Sequence, residues 1–171
     1  MEPTTLAAQA TTTIITSKQL LEHWQAHRRL TRKVIEAFPE EKLFTYSVGA
    51  MRPFSDLVIE MLDMAVPGIA GVVTGHWQTI NEMSHVNGVS KPASKAELLE
   101  QWDETTEKLN ILWHQIPESR FQEKDIAFGL YEGTIYSFVF YFIDNEIHHR
   151  GQGYVYLRSL GIEPPAFWDR Q

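Results

Sequence analysis

The stretch from Gly133 to Gly161, GTIYSFVFYFIDNEIHHRGQGYVYLRSLG, decides the fold. At about 100° per residue, Ile135, Phe138, Val139, Phe142, Ile143, Tyr156, Leu157 and Leu160 gather on one broad apolar face, and strand-like alternation does not persist. Thr134 is placed to cap the start and Gly161 to close the end, with Pro164 and Pro165 forbidding continuation. The reading is one long helix whose apolar face must bury against other helices.

Asn145 and His149 stand one turn apart on the flank of that face, with Gln152 below them, so their polar ends should reach a bundle interior. Asp144 and His148 share the spacing but project toward solvent. A polar pair at helical spacing beside a buried face is what a bundle uses to hold a metal ion or a small polar ligand, because both groups reach the same point. A core-edge histidine engaged only in hydrogen bonds gives the same pattern, and asparagine is an uncommon metal ligand.

Working outward, Leu20, Leu21, Trp24, Leu30, Val34, Ile35 and Phe38 predict a first helix from Ser17, its N-cap, to Pro39. His23 and His27 are one turn apart on it but lie among Glu22, Arg28 and Arg29, which reads as a solvated face. Pro53 suits the first turn of a second helix, with Phe54, Leu57, Val58, Met61, Leu62, Ala65 and Ile69 as its buried stripe. Pro67-Gly68 should kink or end it. Glu60 sits at the stripe's edge, as a salt-bridged boundary residue or as a negative ligand across from Asn145 and His149. Residues 76–93 read as a long loop or short helix over one end of the bundle, and Trp77 there could wall a pocket or simply pack. Ser94-Lys95-Ala96-Glu97 is a capping box that opens a third helix through Leu98, Leu99, Trp102, Leu109, Leu112, Trp113 and Ile116, with His114 at its end. Pro117 to Glu132 reads as a polar crossing loop anchored by Phe121, Ile126, Phe128 and Leu130.

The chain has 171 residues, 43% hydrophobic and 22% charged, which suits one globular domain; residues 1–15 are Thr-rich and read as a flexible arm, residues 16–171 as the bundle. A net charge of −7 with 15 scattered basic residues argues against a nucleic-acid binder. There is no cysteine, so thiol chemistry would have to use a borrowed thiol. The start lacks a secretory signal pattern and the densest apolar run, Ile135 to Ile143, is too short to span a bilayer, so a cytoplasmic protein without membrane contact is expected.

The last helix and tail, NEIHHRGQGYVYLRSLGIEPP, resemble the closing signature of the DinB (damage-inducible) superfamily, H-E-x-H-H-R-G-Q followed by Y-L-R, L-G and P-P. Helix number, order and length agree beyond the first 15 residues. The resemblance implies an all-α, up-down-down-up four-helix bundle, often a homodimer, with a divalent ion, nickel or zinc, on three histidines. Carried onto this chain, that set falls on Glu60, Asn145 and His149, of which only His149 is a histidine. The resemblance further implies a metal-dependent enzyme that activates a low-molecular-weight thiol for transfer or isomerisation, with Glu60 or His148 as candidate base. The alternative is a metal-free, non-catalytic bundle that binds a small ligand or serves a stress response.

Overall fold

The computed structural model describes residues 13–89 and 91–171; most of the expected N-terminal arm lies outside them. Six helices follow in order: α1 Ser17–Ala37, α2 Glu40–Thr45, α3 Phe54–Thr74, α4 Ser84–Asn87, α5 Lys95–Trp113 and α6 Ile135–Ser159. The four long ones pack in a ring, α1 against α5 and α6, α3 against the same two. The chain is thus mainly α-helical, as its periodicity predicts.

α6 begins and ends where its sequence says. Thr134 is extended at the N-cap, and the helix closes through Gly161 at φ 76°, whose N–H donates to the Arg158 carbonyl while the Ile162 N–H reaches the Leu157 carbonyl. That double bond is the Schellman closure, and it satisfies carbonyls that the helix end would otherwise orphan. α1 starts one residue earlier than expected. Thr16, not Ser17, is the cap, because its hydroxyl accepts from Gln19 N at 3.2 Å while Gln19 Oε1 accepts from Thr16 N at 2.9 Å. In α5 Ser94 Oγ takes the Glu97 N–H at 3.1 Å, but Glu97 reaches back to Ala93 N rather than to Ser94, so the box closes one residue further out.

Three readings are corrected. Pro67 does not end its helix: α3 runs on to Thr74 because the flanking turns are packed on both sides, Ala65, Ile69 and Val72 being fully buried. Tertiary burial outweighs the one backbone donor that proline lacks. α3 is also long and apolar enough to cross a membrane, contrary to the expectation that no run was; most of its length is buried inside the bundle. The crossing loop holds a 3-10 turn, Glu118–Gln122, and a two-stranded antiparallel hairpin, β1 Lys124–Ala127 with β2 Tyr131–Thr134. Phe121 and Phe128 are its buried anchors, whereas Ile126 and Leu130 are exposed.

Close approach to α3 is made possible by two missing side chains. A Cβ on Gly68 would meet the Phe142 ring at 2.7 Å, and one on Gly71 would meet Trp77 at 2.3 Å. Trp77 in turn packs edge-on against Phe128 and Phe138 at 5.4 and 5.7 Å between centroids. It therefore backs a wall of aromatic rings between α3, α6 and the hairpin. Residues 76–93 cover this end with a 3-10 turn, Ile80–Glu82, and with α4, which packs on α3.

Candidate functional site

Glu60 on α3 meets Asn145 and His149 on α6. Asn145 Nδ2 donates to Glu60 Oε1 at 3.0 Å and His149 Nε2 lies 2.9 Å from the same oxygen. The other carboxylate oxygen, Oε2, is ion-paired with the Arg52 guanidinium just ahead of α3, whose main chain is held to α6 by Tyr156 Oη donating to the Arg52 carbonyl at 2.9 Å. Burial works against charge on Glu60, but donors from His149, Arg52 and Asn145 outweigh it and hold the carboxyl well below the usual range. The sequence set Asn145 and His149 on one flank by spacing and settled Glu60 opposite them only through the resemblance. It gave no sign of Arg52, which lies eight residues from Glu60 across a helix start.

His149 Nδ1 faces Gln152 Oε1 at 3.3 Å, and Gln152 Nε2 continues to His148 Nε2 at 2.9 Å. His148 and Asp144 are exposed on the outer side, as their phase predicted. Asn145 Oδ1 is buried without a hydrogen-bond partner among the described residues.

A cavity of about 460 Å³ opens beside Glu60, walled by Ile80, Phe128, Phe138, Tyr141 and Phe142 and lined also by His85. His85 was read only as part of an aperiodic loop. In the fold its Nδ1 lies 2.6 Å from Asp63 Oδ2, and its backbone N–H donates to that oxygen at 2.8 Å. The carboxylate thus holds the proton on Nδ1 and leaves Nε2 as the ring's acceptor, with no partner among the described residues. A histidine oriented by a buried carboxylate at the edge of a cavity can take a proton from a bound molecule.

A second polar group was missed altogether. Glu146 and Arg150, one turn apart in the centre of the apolar arc of α6, are 2% and 6% exposed. Glu146 accepts from Trp24 Nε1 at 3.0 Å and from Thr31 Oγ1 at 2.7 Å, and lies 3.5 Å from Arg28 and 3.9 Å from Arg150. Burial brings Arg28 down to about 10 despite this neighbour. His27 corrects the solvated-face reading: it is 2% exposed, with Arg150 Nη2 at 2.9 Å from its Nδ1. The phase of Glu146 between Phe142 and Gly153 was the available signal, since a charge in mid-stripe must find a buried partner.

The DinB family model matches residues 8–170. The chain belongs to the DinB family. Its fold is shared with two crystal structures, a DinB-like protein of Bacillus subtilis, YjoA (TM-score 0.70, 19% identity, 90% of this chain and 99% of that one), and one of Bacillus cereus (TM-score 0.69, 16% identity, 88% and 97%). At such identities the likeness speaks for the fold alone. No curated protein matches the chain.

The three residues that the DinB resemblance assigns to a metal do not fit a nickel or zinc ion held by three histidines. One imidazole is present, and its Nε2 is turned to Glu60. The amide presents nitrogen, not oxygen, to the carboxylate, because the reverse would set oxygen against oxygen. The single carboxylate is already neutralised by a guanidinium. Such a set supplies neither the soft nitrogen donors nor the negative charge that those ions select.

Proposed function

We propose that this chain is a metal-independent DinB protein that binds a small, largely apolar molecule in the aromatic cleft beside Glu60. The observation that carries this is the closed cluster itself: Arg52, Asn145 and His149 all donate to the one carboxylate, so the centre is electrostatically complete. Ligand recognition then falls to the ring-lined walls and to His85. Concave, mostly apolar sites with a few convergent polar groups are the usual form of small-molecule sites.

The test is metal content. Protein purified without added metal or chelator should carry well under about one equivalent of any transition metal by elemental mass spectrometry, as the oxygen-rich, charge-neutral set predicts. Near-stoichiometric nickel or zinc on Glu60, Asn145 and His149 would restore the metal-dependent thiol-transfer reading.

A catalytic version of the metal-free reading is favoured by the His85–Asp63 contact. A low-molecular-weight thiol seated in the cleft would lose its S–H proton to His85 Nε2, keeping the electron pair as a thiolate nucleophile. The same reading includes the up-down-down-up helix order, supported by the pairing of α1 and α3 each with α5 and α6, and a cytoplasmic homodimer. Exposed Tyr136, Phe140 and Ile147 share one side of α6 and supply an apolar face for a second copy.

A further inference from the structure

On the side of α6 away from Glu60, a cavity of about 540 Å³ is lined by His23, His27, Arg150, Tyr154, Phe167 and Arg170, with Ile147 and Gly151 completing it. Among the described residues no carboxylate lines it. The one acid behind it, Glu146, is shared between Arg28 and Arg150, and Arg170 makes no ion pair among the described residues. Arg150 and Arg170 therefore line the cavity with one carboxylate behind them, Glu146, which already serves Trp24, Thr31 and Arg28, in a protein whose overall charge is −7.

The hydrogen bonds around His27 carry the same excess of donors. His27 Nδ1 faces Arg150 Nη2 at 2.9 Å, while its Nε2 faces both Arg170 Nη1 at 3.3 Å and His23 Nε2 at 3.2 Å. A neutral imidazole has one acceptor nitrogen. Burial, then Arg150, Arg170 and His23, lower His27 from 6.5 to about 3, so the ring is neutral. With Nδ1 accepting from Arg150, Nε2 carries the proton and meets Arg170 donor to donor. Arg170 Nε and Tyr154 Oη are themselves buried without partners among the described residues. The cavity is rich in donors and positive charge and poor in acceptors.

We propose that this cleft is an anion site, specific for the phosphate group of a small molecule. Arg170 and Tyr154 bring unpartnered donors to the cavity lining, with the His23–His27 pair beside them, and a phosphate group, with three strong acceptor oxygens, matches more such donors than a carboxylate does. Charge-assisted bonds to a guanidinium supply most of the hold. Phe167, 62% exposed at the cavity wall, offers a surface for an apolar portion of the same molecule. Neither the Glu60 cluster nor the His85 cleft takes part.

Calorimetric titration of the full chain with inorganic phosphate and with phenyl phosphate, at ionic strength fixed by sodium chloride, tests this. Saturable one-to-one binding of at least one probe is expected. Arg170→Gln should weaken it by about tenfold or more, as loss of a charge-assisted donor does, and Tyr154→Phe by a smaller factor, both with native circular dichroism. Lys42→Gln, which removes a remote positive charge, should change nothing. Tighter binding of phenyl phosphate points to an organic phosphate seated against Phe167, and equal binding to free phosphate. Failure of both probes to saturate at millimolar concentration, or an Arg170→Gln variant that binds as tightly as the native chain, overturns the proposal.

Discussion

His85 and Asp63 meet through two bonds on one oxygen: the ring Nδ1 at 2.6 Å and the backbone N–H at 2.8 Å both address Asp63 Oδ2. The loop is thereby tied to α3 and the ring's tautomer is set. Long-range proton–nitrogen NMR should show the Nδ1–H form of His85 at neutral pH, and an Nε2–H signal would contradict the assignment. Asp63→Asn should cost roughly 1–3 kcal/mol in urea unfolding, the range for breaking a buried hydrogen-bonded pair.

Glu60 gives a pH signature of its own. Its carboxyl is held below the ordinary 4.5 in the folded chain, so the unfolded chain takes up the proton first as acid is added. Its contribution to stability is complete above about pH 4.5 and is lost as pH falls through the depressed folded value. Unfolding free energies measured between pH 3 and 7 should therefore fall less steeply in Glu60→Gln than in the native chain. Parallel curves would count against the cluster.

The neutral state of His27 predicts a second, separable slope. A base whose folded value is about 3 against 6.5 unfolded favours the fold above pH 6.5 and loses that advantage on the way down to 3. One proton difference amounts to at most about 1.4 kcal/mol per pH unit. His27→Gln should abolish this slope above pH 4.5, where Glu60 does not yet contribute. Persistence of the slope in the variant would place it elsewhere.

Removing Glu146 should be the most damaging single change among the polar residues. Glu146→Ala strands Arg28 and Arg150 in the core and deprives Trp24 and Thr31 of their acceptor. A loss of about 3–5 kcal/mol is expected for breaking a buried pair by deleting one partner. A variant with near-native melting would mean that water reaches the guanidiniums.

If the outer side of α6 pairs with a second copy, Phe140→Glu should convert a dimer to a monomer in light scattering after size exclusion while circular dichroism stays the same. Phe140 is 42% exposed and is not one of the buried core residues. An unchanged mass for both forms would dismiss this face as the contact.

Much of the fold was legible because long helices announce themselves by period and caps. α6 could be placed from Thr134 to Gly161, and α5 from Ser94, on local chemistry alone. Asn145 and His149 could be placed on the inner flank of α6 by phase, whereas Glu60 stood at a stripe edge that suits a salt bridge equally well, and only the DinB resemblance settled it opposite them. What escaped notice depended on contacts between distant segments. The hairpin strands are four residues each, too short to show alternation, and their turn needs φ 55° at Phe128, a residue type that gives no turn signal. Arg52 and His85 act through partners in α3 that no spacing within their own segments reveals. His27 departs from its solvated-face reading because Arg28 beside it is itself buried, although Glu22 and Arg29 are exposed, so a charged residue type does not mark a wet surface at every position.

The glycines at 68 and 71 carry one more implication. Phe142 and Trp77 rest directly on the main chain of α3, with no side chain beneath them to shift. A floor made of backbone has no rotamers to exchange, so the cleft above it is a mould, not a glove. Molecules should be sorted there by outline, and those too thick for the gap will be refused however well their polar groups match.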